Sequence, residues 1–325
     1  MPGIVRYRFR AYARPRLRGR VMTKRIKTGK RFGRSLYPGR TPFLFLAPFL
    51  LIYAVLWLWP IVFSLFLSLN RWSGGGAPLR FVGLKNYIFL FGDKDFQASL
   101  LNTLYFCGGF LAVMLPLALF LALLLNIAFL RLKGFFRSVF FSPMVMSKVV
   151  VAMIFFLILD DRGGLLAFMF DKVGLVFPNL LASKRLVMPT IIGLSLWRTT
   201  GVYMLFFLAG LQGISPEIYE AARMDGANNL QTFLYITLPQ LRNAAIFIVT
   251  IALINSINIF DSPYLLTGGG PGNASMTLAL NLFRQSFTHY RFGIGAGVSA
   301  VLLVIILIFT LFFLIITGAF KMEES

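Results

Sequence analysis

The sequence predicts an all-α integral membrane protein with six transmembrane helices, and three observations carry the prediction. Mean hydropathy is +0.79, and only 13% of residues are charged, about half the share usual in soluble domains. Residues 41–70, 100–130 and 292–319 contain no Asp, Glu, Lys or Arg. Each run exceeds the roughly 20 apolar residues that a helix needs to cross a bilayer core. Three further runs are nearly as clean: 138–159 carries only Lys148, 187–211 only Arg198, and 244–260 no charge, extending to 263 if Asp261 meets a partner or water.

The elements follow in order. Residues 1–41 form a basic tail, since 1–40 hold 14 of the 32 Lys and Arg and no acid, while the remaining 285 residues have a net charge of +7. Such a cluster before a first span fixes that end in the cytoplasm and attracts membrane lipid with anionic headgroups. Nucleic acid is not an expected partner, because no aromatic platform accompanies the charge. No cleavable leader is expected, since the first apolar run starts past residue 40. Spans are placed at about 43–69, 100–129, 138–159, 187–211, 243–263 and 292–318, within a membrane domain of 42–320. An even number of crossings puts residues 321–325 on the cytoplasmic side as well. The loop carrying Arg131, Lys133 and Arg137 has no acid, as a cytoplasmic loop should.

Between the fourth and fifth spans, residues 213–240 are polar and rich in small residues: "EIYEAARMDGANNLQTFLYITLPQL" from Glu217. Ser215 is read as an N-cap, Pro216 as the first helical residue, and Glu217 as favouring the positive helix end. The helix continues through Glu220, Ala221, Ala222 and Met224 until Gly226 stops it. Ala221 and Ala222 are expected to offer a small face to another protein. A second amphipathic piece carries Leu230, Phe233, Leu234 and Ile236, with Pro239 opening the next span. The whole reads as a cytoplasmic docking element that lies in a groove on a partner.

Covalent chemistry is not expected. The phosphate-loop pattern fails, because Gly29-Lys30 is followed by Arg31 and "GGGPGN" has no Lys. Cys107 and His289 stand alone, so neither a redox motif nor a metal site is expected. Any uphill movement of solute needs an ion gradient or another subunit.

The 217–241 stretch resembles the EAA loop of permease subunits of binding-protein-dependent ABC importers, with Glu220, Ala221, Ala222, Asp225, Gly226, Ala227, Phe233, Ile236, Leu238 and Pro239 on that pattern. "LAGLQGISPEIYEAA" before it and "LTGGGPGNAS" (residues 266–275) after it narrow the resemblance to the carbohydrate-importing branch, over roughly 42–318. The resemblance implies a type I importer permease core and an inner-membrane location. It also implies a homologous second permease subunit, two ATPase subunits that bind ATP and Mg, and a periplasmic solute-binding protein. This chain would hold no cofactor. Glu217, Glu220, Ala221, Ala222, Asp225, Gly226 and Ala227 would form the coupling helix seated on an ATPase subunit. The 266–275 segment reads as an outer turn, and by resemblance Gly268, Gly269, Gly270 and Pro271 would face the binding protein. Gly293 and Gly297 make a close-packing pair, expected to meet the second permease.

Ionisable groups within spans usually face a cavity or a partner. Lys148 and Arg198 lie about 16 Å along their spans at 1.5 Å per residue, and Asn255, Asn258 and Asp261 recur every three residues on one face. By resemblance, the fourth and fifth spans line a central cavity. Lys148, Trp197, Arg198, Asn255, Ser256, Asn258 and Asp261 are then its expected lining, with Trp197 stacking on a sugar face. Two readings stand for the charges: contact with substrate, or pairing of Lys148 or Arg198 with Asp261. Two bases against one acid favour an acidic oligosaccharide such as alginate fragments. The alternative to an ATP-driven importer is a gradient-driven secondary sugar carrier, which would need acids inside the membrane; only Asp261 is available.

Overall fold

The computed structural model describes residues 41–127 and 132–318. The basic tail to residue 40, the end of the second span and start of the loop at 128–131, and the C-terminal tail from 319 lie outside the described residues.

Two compact units divide between Ala54 and Val55. In the first, the described residues form helix α1 (Thr41–Tyr53). A π-helical turn, Ala54–Leu58, follows. The second unit continues with α2 (Trp59–Ser68), where Pro60 sits in the first turn at no hydrogen-bond cost. The helical run Phe45–Ser68 is long and apolar enough to cross a membrane.

Outside the spans, β1 (Asn70–Arg71) and β2 (Arg80–Phe81) make a two-residue antiparallel ladder, and α3 (Lys85–Gly92) follows. The Asn86 side-chain amide donates to the Ser68 and Asn70 carbonyls at 2.8 and 2.9 Å, which fixes α3 to the end of α2. Helix α4 (Lys94–Asn126) opens on Asp93, whose carboxylate accepts from the Asp95 N–H. Its buried residues Phe96, Ser99, Thr103, Phe106, Phe110, Met114, Ala118, Ala122 and Leu125 recur at intervals of three or four, one stripe of a helix. That stripe is why α4 forms the centre of the fold.

The third span departs from its expected form. Residues 138–159 read as one crossing, yet the chain builds α5 (Lys133–Val145) and α6 (Lys148–Leu159) with a 93° bend between them. Pro143, inside the last turn of α5, removes a backbone donor there; Met146 is extended and Ser147 non-helical. Lys148 therefore opens a helix rather than lying midway along one.

A short helix α7 (Leu165–Lys172) precedes α8 (Val187–Gln212). The chain then forms α9 (Pro216–Met224), α10 (Asn229–Thr232), a π turn Phe233–Thr237 and α11 (Leu238–Gln240). The fifth span is α12 (Arg242–Ile257) continued by α13 (Asp261–Thr267). It begins after Pro239 rather than at it. Next come α14 (Leu278–Phe283), a π turn Arg284–Thr288 and α15 (Phe292–Thr317). Among the described residues five helical runs can cross a membrane, and the bent α5–α6 pair makes a sixth.

Two cores hold the second unit together. One packs Met114, Ile191, Met204 and Ile248 between α4, α8 and α12. The other packs Leu90, Phe96, Ile257, Leu278 and Val298 between α3, α4, α12, α14 and α15. Hydroxyls inside the spans bond back to their own helix, as Ser195, Thr199 and Thr200 do to carbonyls four residues earlier at 2.6–2.8 Å, so polar groups enter the apolar layer satisfied.

Small residues set the closest approaches. A Cβ on Gly201 of α8 would overlap the Phe140 carbonyl of α5. One on Gly293 would overlap the Asn70 carbonyl, and one on Gly297 would meet Leu90 Cδ1 at 2.9 Å. The Gly293/Gly297 pair expected against a second permease thus packs within the chain. Its small face admits the β1 backbone and α3.

Candidate functional site

A cavity of about 350 Å³ opens between α4, α6, α8, α12 and α13. Phe106, Phe110, Val151, Ala152 and Leu194 give it apolar walls, and Lys148, Arg198, Asn255, Ser256, Asn258, Asp261 and Ser262 give it polar groups. Six of the seven residues expected to line it therefore do so. The spacing explains the convergence: Leu194, Ser195, Arg198, Thr199, Val202, Tyr203 and Phe206 occupy one face of α8 at intervals of three and four.

Trp197 is the exception. It points out of the cavity, 46% exposed, with its ring 5.1 Å from that of Phe155. The lining stripe of α8 runs through the pairs 194/195, 198/199 and 202/203, and Trp197 lies about 100° outside it on the side away from Thr199. The expected sugar-stacking role is withdrawn. The aromatic groups that do face the space are Phe106, Phe110, Tyr203 and Phe206. Extending Arg198 by three and four residues along its helix would have found Ser195 and Val202.

The charges divide into a pair and a remainder. Lys148 Nζ donates to Asp261 Oδ2, joining the start of α6 to the start of α13. Arg198 has no carboxylate partner among the described residues, and its buried Nε lacks any acceptor there. Of the two readings left open for the charges, Lys148 takes the pairing with Asp261, and of two bases against one acid a single guanidinium is left without a carboxylate among the described residues. Asn255 donates to the Tyr203 hydroxyl at 3.4 Å, and Asn258 donates to its own helix at Ile254. Ser256 is buried, bonded to the Leu253 carbonyl and Cys107 Sγ, so it shapes the wall more than it offers a free hydroxyl.

Both partners of the ion pair are more than a third exposed, and exposed pairs contribute only about 0–1 kcal/mol. Lys148→Gln/Asp261→Asn is accordingly expected to leave the thermal midpoint of the purified complex within a few degrees of wild type. Lys148→Gln alone leaves Asp261 facing the cavity uncompensated and is expected to lower uptake more than the double change does. A double-mutant cycle on uptake rate reads the difference; equal losses in both variants would show the pair to be irrelevant.

A second site is the 213–240 segment. Glu217, Glu220, Ala221, Asp225 and Gly226 are exposed. Ala222, expected on the partner-facing side, is buried against its own chain, because the apolar side of α9 turns inward with Ile214 and Tyr219. Tyr219 meets the Thr237 hydroxyl at 3.3 Å. Ser215 makes no side-chain cap. Gly226 (φ +77) ends α9 with its N–H on the Arg223 carbonyl and the Ala227 N–H on the Ala222 carbonyl. This is a Schellman turn, which requires the left-handed conformation that glycine adopts freely. Asn228 and Gln231 then form a reciprocal capping box on α10. The outward surface also carries Met224 and Tyr235, 88% and 77% exposed, which the motif did not single out.

The 266–275 segment folds back on the chain. Asn102 donates to the Asn273 and Met276 carbonyls at 2.8 and 2.9 Å, and Arg284 to the Gly268 carbonyl at 2.7 Å. Gly269 is buried beneath Met276 and Leu280, whereas Gly268, Gly270 and Pro271 are half-buried.

The family described as the binding-protein-dependent transport system inner membrane component matches residues 114–321. An arabinooligosaccharides transport system permease protein of Bacillus subtilis (strain 168) is 37% identical over 87% of this chain and 90% of its own length. A lactose transport system permease protein of Rhizobium radiobacter is 35% identical over 81% of this chain and 89% of its own length. In fold, the chain is similar to one from a bacterial ABC transporter involved in import of the acidic polysaccharide alginate, with a TM-score of 0.76 at 22% identity, covering 86% of this chain and 95% of that one. The six-span helical architecture, the exposed 213–240 segment and a match across most of the chain lead to one conclusion: this chain belongs to the binding-protein-dependent transport system inner membrane component family.

Proposed function

We propose that the chain is the permease subunit of an ATP-driven importer that passes oligosaccharide from a periplasmic binding protein into the cytoplasm by alternating access about the α4–α13 cavity. In this reading it pairs with a homologous permease and two ATPase subunits in the inner membrane, with both termini cytoplasmic. ATP and Mg are bound by the ATPase subunits, and Glu217, Glu220, Ala221, Asp225, Gly226 and Ala227 carry the coupling contact. Gly268, Gly270 and Pro271 remain the proposed face toward the binding protein, with Gly269 supporting them from beneath. The sugar permeases among its relatives support the substrate class. A secondary carrier is not favoured, since the one acid in the cavity is occupied by Lys148.

The observation that carries the substrate reading is the Arg198 guanidinium, without a carboxylate partner among the described residues, in a cavity whose apolar and aromatic walls also carry amide and hydroxyl groups. Such a group hydrogen-bonds sugar hydroxyls and pairs in bidentate fashion with a carboxylate. Uptake into proteoliposomes holding the assembled complex, with neutral and uronic-acid oligosaccharides, tests it. Arg198→Gln is expected to slow transport of an acidic substrate about tenfold or more, since hydrogen bonds to a charged group are worth about 1.5–3 kcal/mol, and to affect a neutral one less. Unchanged transport of both substrates by the variant would remove Arg198 from the path.

A further inference from the structure

On the other side of α12 an open groove of about 400 Å³ is lined by Leu238, Pro239, Arg242, Ala245, Ile246, Val249, Phe313 and Thr317. Arg242, Ala245, Ile246 and Val249 follow one another at three- and four-residue steps down α12, and Phe313 and Thr317 lie four apart on α15. The groove thus runs along two adjacent spans, apolar for most of its length, with one cation where α12 begins and α15 ends.

We propose that this groove binds one acidic phospholipid, with an acyl chain against Ala245, Val249 and Phe313 and the phosphate on Arg242. Three features select that occupant. The groove lies along two helical runs long and apolar enough to cross a bilayer, so a hydrocarbon tail would be available to it without desolvation. Arg242 is exposed, has no carboxylate partner among the described residues, and stands at headgroup level at the first residue of α12. One of its amino groups donates to the Thr317 carbonyl at the end of α15. This holds the guanidinium over the groove mouth while leaving four of its five N–H donors for an anion. A neutral or zwitterionic lipid would use the apolar channel but gain less from the cation.

The site depends on membrane crossing alone and not on which solute is imported. Its failure is therefore separable from that of the transport reading, which uptake assays address. The test uses the assembled complex in detergent with defined mixtures of phosphatidylglycerol and phosphatidylethanolamine, with retained lipid counted by native mass spectrometry. Wild type is expected to keep phosphatidylglycerol in preference to phosphatidylethanolamine. Arg242→Gln should lower that retention about fivefold, the worth of one basic residue at an anionic surface, and Val249→Phe, which fills the channel, should lower retention of both lipids. Millimolar inorganic phosphate should not displace the lipid; displacement would mark a free-phosphate site and overturn the assignment. Equal phosphatidylglycerol retention by wild type and Arg242→Gln would also overturn it. So would a cross-link from a cysteine at 249 to the companion permease in the intact complex, which would show that a protein helix fills the groove.

Discussion

Gly201→Val is expected to abolish uptake while leaving the chain in the membrane. At Gly201 the α8 backbone lies against the backbone of α5 at Phe140 and Phe141, an approach that only a missing Cβ permits. Overpacking a core usually costs about 1–3 kcal/mol, because side chains can rotate away. Here the obstacle is a main-chain carbonyl in the middle of a helix, so α5 must move as a body. That movement carries Met144, which lines the cavity, and drags the bend that positions Lys148. Gly193→Ala is the matched control, since a Cβ there meets nothing within 4 Å. Uptake by the reconstituted complex should fall at least about tenfold for Gly201→Val, less for Gly201→Ala, and hardly at all for Gly193→Ala. If Gly201→Val transports as wild type does, the close approach of α8 to α5 at Gly201 is not needed for transport.

Glu220→Lys should detach the ATPase subunit without harming the fold. Glu220 is exposed on α9 and makes neither a hydrogen bond nor an ion pair among the described residues. Reversing its charge thus costs the isolated chain little. At a docked interface, truncating one member of a buried charge pair costs about 2–5 kcal/mol, and reversal is worse because it also introduces repulsion. Copurification of the ATPase subunit with tagged permease should drop severalfold or vanish, and substrate-stimulated ATP hydrolysis should go with it. Thermal stability of the permease alone should stay unchanged. A variant that keeps its ATPase subunit and its stimulated hydrolysis would remove α9 from the coupling role.

Much of this architecture was readable from hydropathy. Long uncharged runs have few other uses: α2 and α15 fall within them, most of α4 does, and α8 and α12 cover the nearly clean runs. The α9 turn was also legible, because proline, glycine and the acids mark a short helix by local chemistry that tertiary packing does not override. What sequence could not give was direction. Ala221 and Ala222 look alike in a string of letters, yet one faces out and the other in, a difference set by where Tyr219 finds Thr237. Trp197 was drawn into the cavity by its chemistry as a sugar-stacking residue; which neighbour of Arg198 shares its face, Trp197 or Thr199, depends on the rotation of α8, which packing sets. The Lys148–Asp261 pair joins residues 113 positions apart, and the reading from composition could only leave it as one of two possibilities. Gly293 and Gly297 carried a true signal for close packing but no address for the partner.

The bend at Met146 and Ser147 has a consequence for solvent. Val145 ends α5, and Met146 turns extended with no capping N–H among the described residues, so carbonyl oxygens of the last turn are left without helical donors. Hydrocarbon cannot satisfy them, and irregular backbone at membrane depth persists only where protein or a wet space surrounds it. Met144 and Lys148, on either side of the elbow, both line the α4–α13 cavity, so the freed carbonyls are expected to draw water into it. Water entering the cavity should reach this point of the third crossing, so the low-dielectric barrier facing a solute is expected to be thinner there than the bilayer itself.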